Sequence, residues 1–296
     1  MQLTKNLMRL GVFVAVLTFG HFSRAADRVT ILYDAFGSSD KITKDWGFSA
    51  LVEHDGKRIL FDTGNDAKIF EHNVKALGVD LGKLDFVVIS HRHGDHSTGL
   101  KYVLGVNPGV KVYVPNELAG LFGGFLPKTF YRDEESLPKR MRYFDGAHPE
   151  KLPTGYPWEG GNFVLVDKLT EVSPGIFLIP TISNAPGTLE LRELTLAIKG
   201  ERGLILVDGC SHAGVEEILK AASAVNPHVH ILFGGLHLVR TSDQEVDRLA
   251  ADLRNKWKLD RIAPGHCTGE PAFLRLQKVF GDDYLYAGAG TLLVVP

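Results

Sequence analysis

Phe86-Val87-Val88-Ile89-Ser90-His91-Arg92-His93-Gly94-Asp95-His96 is the stretch from which the rest of the chain is read. Phe86 to Ile89 is apolar, with three β-branched residues, too short for a helix and suited to a buried strand. Four metal-capable side chains follow within six residues. Imidazoles at i and i+2 do not share a helix face, so His91 and His93 belong on an irregular loop at the strand's carboxyl end. Gly94 allows a sharp bend, and Asp95 and His96 open an expected helix over Ser97 to Leu104. Neutral imidazoles with one carboxylate suit zinc, iron or manganese better than calcium or magnesium, which favour oxygen. The plain alternative is a His-rich surface loop. Three His and one Asp packed directly behind a buried strand argue against it.

The 296 residues are 44% hydrophobic and 23% charged, a globular composition of a length that allows one large domain or two small ones. Net charge is −2; the first 25 residues carry Lys5, Arg9 and Arg24 and no acid, so removing those three positive charges leaves the remainder at −5. A mildly acidic chain without a basic run is a poor nucleic-acid binder, and a small-molecule substrate is the expected partner. Lys5 and Arg9 precede an apolar run from Leu10 to Gly20 that is shorter than the ~20 residues of a membrane span. Ser23 and Ala25 then place small residues at −3 and −1 of a cleavage point. Residues 1–25 therefore read as a secretory signal peptide, which makes the mature protein exported, periplasmic in a Gram-negative cell, and not inserted in a membrane once the signal is removed.

Residues 27–296 read as a single domain. Val29 to Tyr33 is a strand, and Phe48 to Glu53 with Lys57 to Phe61 is a hairpin about Asp55-Gly56. Phe70, Val74 and Leu77 give Asp66 to Leu77 one apolar helix face, ended by Gly78. Val110 to Pro115 is a strand, and Pro115-Asn116-Glu117 starts a helix. Residues 120–160, rich in Pro, Gly and aromatics, have no period and read as an irregular insertion, a lid or pocket wall. Phe163 to Val166, Ile176 to Pro180, Glu193 to Lys199 and Gly203 to Val207 are strands, the last two a hairpin. Val215 to Val225 is a helix, Val229 to Phe233 a buried strand, Asp243 to Trp257 a strongly amphipathic helix and Arg261 to Ala263 a short strand. Pro271 to Phe280 is a helix and Thr291 to Val295 a last strand.

One pattern recurs. Leu204 to Val207 runs into Asp208-Gly209-Cys210-Ser211-His212, Ile231 to Phe233 into Gly234-Gly235-Leu236-His237, and Arg261 to Ala263 into Pro264-Gly265-His266. With the first loop, six of the twelve histidines stand at strand ends, and they converge if those ends share one edge. A helix-capping or core histidine is the plain reading of each taken singly. The only two cysteines, Cys210 and Cys267, each lie beside one of these histidines; a disulfide, free buried thiols and ligation of metal by Cys210 all remain open.

His-x-His-x-Asp-His after a strand resembles the signature of the metallo-β-lactamase superfamily. The turns Gly-Cys-Ser-His, Gly-Gly-x-His-Leu and Pro-Gly-His-Cys-Thr-Gly are similar to those of its dihydropterin-ribofuranosylaminobenzene-phosphate-synthase-like branch, over nearly all of residues 29–296. The resemblance implies an α/β fold, a four-layer αβ/βα sandwich of two mixed β-sheets flanked by helices. It implies one metal on His91, His93 and a later His, and another on Asp95, His96 and His266. Asp62, one strand before the loop, is implied as the support of a ligand imidazole, which a buried carboxylate does by fixing its tautomer. The chain departs from the family pattern in two places. The turn Pro180 to Gly187 holds no His, so His212 or His237 is the third ligand of the first metal. Gly209-Cys210 stands where Gly-Asp is expected, so the bridging residue is Cys210 or Asp208, or is absent.

The function implied is a metal-dependent hydrolase, with one or two Zn2+ ions (Mn2+ or Fe as alternatives) and metal-activated hydroxide acting on an ester, lactone, amide or phosphoester. Asp95 is the residue expected to orient the water or carry its proton. The alternatives are an iron-dependent redox enzyme on the same scaffold and a non-catalytic periplasmic metal-binding protein.

Overall fold

The computed structural model describes residues 27–117, 124–127, 135, 143–147, 150–154, 161–184 and 190–295. The expected signal peptide, the helix after Pro115 and most of the 120–160 insertion lie outside them.

In chain order the strands and helices are β1 (Asp27–Tyr33), β2 (Ser49–His54), β3 (Lys57–Phe61), α1 (Ala67–Ala76), β4 (Phe86–Val88), α2 (Gly94–Ser97), α3 (Leu100–Val106), β5 (Lys111–Pro115), β6 (Gly124–Pro127), β7 (Lys151–Thr154), β8 (Asn162–Val166), β9 (Thr170–Ser173), β10 (Ile176–Ser183), β11 (Leu191–Gly200), β12 (Gly203–Asp208), α4 (Val215–Ala222), β13 (Val229–Gly235), α5 (Asp243–Asn255), β14 (Arg261–Gly265), α6 (Glu270–Phe280) and β15 (Leu292–Val295). A seven-stranded sheet has the order β15-β1-β2-β3-β4-β5-β8, and a six-stranded sheet the order β14-β13-β12-β11-β10-β9. β6 and β7 form an antiparallel pair of their own, so part of the expected irregular insertion is regular.

The period of two along each strand builds the layers. Ile59 and Phe61 of β3, Phe86 and Val88 of β4, Ile205 and Val207 of β12, and Ile231 and Phe233 of β13 share the core between the sheets. The alternate residues face outward. Leu60, Val87 and Ile89 pack on Phe70 and Val74 of α1 and Leu100 and Val103 of α3. Leu204, Leu206 and Leu232 pack on Ile218 and Leu219 of α4, Leu249 and Leu253 of α5, and Leu276 of α6. Each such aliphatic or aromatic side chain contributes roughly 1.5–3 kcal/mol by leaving water. Helix, sheet, sheet, helix is the four-layer αβ/βα sandwich expected from the sequence.

Both sheets are mixed. β3, β4, β5 and β8 run parallel in one, and β12, β13 and β14 run parallel in the other. Parallel strands bring their carboxyl ends to one edge, where ligands bind in open α/β sheets. The sheets touch there: Leu194 N–H donates to the Ser90 carbonyl at 2.8 Å, and a Cβ on Gly209 would lie 2.3 Å from Ser90 Oγ and 3.0 Å from Asp62 Oδ2.

Two expected elements differ. The helix over Ser97–Leu104 is two helices, α2 and α3, with His93 as the cap of α2, so Asp95 and His96 lie inside a helical turn. Gly99 separates them against the backbone of the β3 loop, where a Cβ would stand 2.1 Å from the Thr63 carbonyl oxygen. β9, an edge strand with no fully buried residue, has no period that the sequence reading detected.

Candidate metal centre

Every predicted ligand sits at the carboxyl end of a strand or in the turn that follows. β4 delivers His91, His93, Asp95 and His96; β12 delivers Cys210 and His212; β13 delivers His237; β14 delivers His266 and Cys267. Asp62, Ser211, His237 and His266 take positive φ of 56°, 60°, 52° and 47°. Such backbone persists in a non-glycine residue only where surrounding contacts impose it. At His266 the contact is Asp34, whose Oδ2 accepts its N–H at 2.9 Å.

The donor atoms fall into adjoining groups, each with its atoms within 4.8 Å of one another: His91, His93 and His212; Asp95, His96 and His266; His91, His96 and Cys210; Cys210, His237 and Cys267. His91 Nε2 stands 3.0 Å from His93 Nδ1. His96 Nε2 stands 3.2 Å from His266 Nε2 and 3.7 Å from Asp95 Oδ2, which is 3.4 Å from His266 Nε2. Cys210 Sγ is 3.2 Å from His96 Nε2. A tetrahedral zinc with Zn–N bonds of about 2.0–2.1 Å separates its nitrogen ligands by about 3.3 Å, so the residues present fit a divalent ion of that kind. The third imidazole grouped with His91 and His93 is His212; His237 stands with the two sulfurs. Asp208 is in none of these groups. It is fully buried and accepts hydrogen bonds from Thr195 Oγ1 and Ser211 Oγ at 2.6 Å each, which makes it a brace for the β12 turn.

The supporting carboxylates orient the rings. Asp62 Oδ1 accepts the Ser90 N–H at 2.7 Å. Its Oδ2 accepts Ser90 Oγ–H at 2.7 Å and lies 2.7 Å from His96 Nδ1, leaving His96 Nε2 aimed at the centre. Ser90 Oγ in turn is 2.8 Å from His91 Nδ1. Glu193, not singled out in the sequence, does the same across the sheet interface. It is fully buried, accepts the Cys210 N–H at 3.1 Å and the His212 N–H at 2.7 Å, and approaches His212 Nδ1 at 3.3 Å and His91 Nδ1 at 3.6 Å. The sequence signal that could have found it is an acid at the head of the largely apolar run Leu194 to Ile198.

Electrostatics favour ligation. Burial, then repulsion by neighbouring imidazoles, pushes His91 well below its ordinary pKa and takes His93 and His212 to about 4, so their lone pairs are free at neutral pH. Burial also opposes a charged His96, but the Asp62 carboxylate outweighs it and lifts His96 to about 9. Burial opposes ionisation of Asp95, yet hydrogen bonding to His266 and the His96 charge hold it well below the usual carboxylate range. Burial pushes Glu193 up. Cys210 and Cys267 are buried, unbridged thiols.

Known proteins are similar to this chain in sequence and fold. A 7,8-dihydropterin-6-methyl-4-(β-D-ribofuranosyl)-aminobenzene-5′-phosphate synthase from Methanocaldococcus jannaschii is 28% identical, over 89% of this chain and 95% of its own. The solved structure of Tm1679, described as a metal-dependent hydrolase of the β-lactamase superfamily, superposes with a TM-score of 0.67 at 26% identity, over 91% of this chain and 99% of that one. A diphosphatase of the PhnP family shares the fold, with a TM-score of 0.51 at 19% identity over 91% and 98% of the two chains. Residues 42–266, most of the chain and all of the strand ends described, match the family model described as the metallo-beta-lactamase superfamily, and the chain belongs to that superfamily.

Proposed function

We propose that the protein is a binuclear metallohydrolase, with one cation held by His91, His93 and His212 and the other by Asp95, His96 and His266. The observation that carries this reading is the pairing of two three-donor groups on one strand edge, the His91 and His96 rings only 4.2 Å apart between centroids. Bound divalent ions, zinc foremost, supply Lewis acidity and a water of lowered pKa. The chain's own residues do the rest. Asp62 and Glu193 hold the imidazoles in the ligating tautomer. Asp95, kept ionised and only partly buried, turns Oδ2 toward His96 and His266 as the oxygen donor of the second group, and its other carboxylate oxygen would orient an attacking water. Trp46, 45% exposed, packs against the His266 ring at 4.9 Å and walls the centre on one side. The substrate class proposed is an ester, lactone, amide or phosphoester of a small molecule, met outside the cytoplasm if residues 1–25 act as the proposed export signal. No helix among the described residues is long and apolar enough to cross a membrane.

The test pairs elemental analysis with turnover. Zinc-loaded parent is expected to carry about two equivalents on these two groups and to hydrolyse at least one of a chromogenic ester, lactone, amide and phosphodiester set. His91→Ala and His266→Ala are each expected to lose metal and turnover together. A second reading, a synthase, is supported by the name of the Methanocaldococcus jannaschii relative. Full metal content with no hydrolysis on the set would move the reading there, and iron in place of zinc would move it to redox chemistry.

A further inference from the structure

Three neighbouring parallel strands, β12, β13 and β14, end in turns that carry Cys210, His237 and Cys267. One donor atom of each lies within 4.8 Å of the other two. The hydrolytic reading has no use for Cys267 or His237. Cys210 and Cys267 are 3% and 2% exposed and unbridged. Cys267 Sγ points at the Cys210 carbonyl at 3.7 Å. His237 is exposed and lines an open cleft with His212, Leu236 and Leu238, which gives an ion a way in from solvent.

The backbone makes room for the sulfurs. A Cβ on Gly235 would lie 2.4 Å from the Gly209 carbonyl oxygen and 2.8 Å from Cys267 Sγ, so a glycine here spares both the backbone that follows β12 and the Cys267 thiol. His237 takes a left-handed φ of 52°, a backbone that a non-glycine residue keeps only where its surroundings impose it.

We propose that Cys210, His237 and Cys267 form a separate sulfur-rich cation site, selective for a thiophilic ion such as zinc, cadmium or copper(I). Two sulfurs and one imidazole are a softer donor set than the nitrogen and oxygen ligands alongside, so the two parts of the centre differ in ion preference. Cys210 joins them, because its Sγ is also 3.2 Å from His96 Nε2 and a thiolate sulfur has lone pairs enough to bridge two cations. Binding converts each ligating thiol to thiolate and releases its proton to solvent; no electrons move and no co-reactant is needed. The site stands whether or not the enzyme is a hydrolase.

The experiment is a Co2+ titration of the reduced full-length protein, read by the sulfur-to-cobalt charge-transfer band and by metal content after gel filtration. Parent, Cys267→Ser and His237→Ala are compared, with circular dichroism as the check on folding. Cys267→Ser is expected to bind about one equivalent less than the parent and to lose about half of the band, while the visible bands of cobalt on the remaining ligands persist. His237→Ala, at an exposed position, is expected to retain the band but to weaken the binding of that equivalent. Unchanged equivalents and an unchanged band in Cys267→Ser would overturn the proposal. So would a parent that, as isolated, has a mass two hydrogens short and thiols that react only after reduction, since that would make the pair a disulfide.

Discussion

Asp62 uses both carboxylate oxygens, Oδ1 on the Ser90 N–H and Oδ2 on Ser90 Oγ and His96 Nδ1, and so sets the direction of His96 Nε2. Asp62→Ala removes that restraint without removing a ligand. Its metal affinity is expected to fall about 10–100-fold, as is typical when an outer hydrogen-bond partner of a ligand is lost; competition with a chromogenic chelator measures it, and an unchanged affinity would mean that packing alone orients the ring. His96 also sets a proton count. Its pKa is raised to about 9, so the metal-free protein holds it as an imidazolium near pH 7. A cation at Nε2 must displace that proton. Metal binding is therefore expected to release a proton from His96 near neutral pH and to stop doing so above about pH 9. His93 and His212, at about 4, are already neutral there and release none. Calorimetry in buffers of different ionisation enthalpy reads the difference, and a binding heat independent of buffer would refute it. The histidines, Asp95 and Cys210 were legible as ligand candidates, because metal-capable side chains behind strands are a local pattern; Cys267 was read only as a neighbour of His266. Glu193 was not, because a single buried acid becomes a support only through partners 17 and 19 residues away.

At the scale of elements, the strand ends depend on how closely β12 and β13 run. Gly234 has φ 104°, and a Cβ there would lie 1.9 Å from the Asp208 carbonyl oxygen. Gly234→Ala combines a disfavoured backbone with a main-chain clash and is expected to cost at least about 1–3 kcal/mol in urea denaturation. Asp66 is a milder case. It caps α1 by accepting the Lys68 and Ile69 N–H groups, and Asp66→Ala is expected to cost ~1 kcal/mol while leaving metal affinity unchanged. The hairpin of β2 and β3, the amphipathic helices α1, α4, α5 and α6, and the buried strands β4, β12 and β13 were readable from period and turn chemistry. The break between α2 and α3 was not: Gly99 in the middle of Ser97 to Leu104 is its one local sign, and what that glycine accommodates is the Thr63 backbone, brought there by another strand.

For the whole molecule, the centre is built on both sheets, so a bound ion ties them together. β4 belongs to the seven-stranded sheet and β12, β13 and β14 to the six-stranded one. A cation that binds only the folded chain at a free concentration of 100 times its Kd adds about 2.7 kcal/mol. Chelation is expected to lower the thermal midpoint and zinc to restore it, and the triple variant His91→Ala/His266→Ala/Cys267→Ser, which cuts into every donor group, is expected to show no response to either; calorimetric scans with and without chelator decide this. The sequence by itself determined most of the strands and helices, and its motifs carried the resemblance that implies their four-layer arrangement and marked the strand ends as the candidate site, because alternation, helical period and short motifs are properties of neighbouring residues. Only the tertiary structure decided that His212 stands with His91 and His93 while His237 stands with Cys210 and Cys267, and that Asp208 faces hydroxyls instead of the ions. Those pairings follow from strand order and from the approach of two sheets, which place together residues that no local pattern relates.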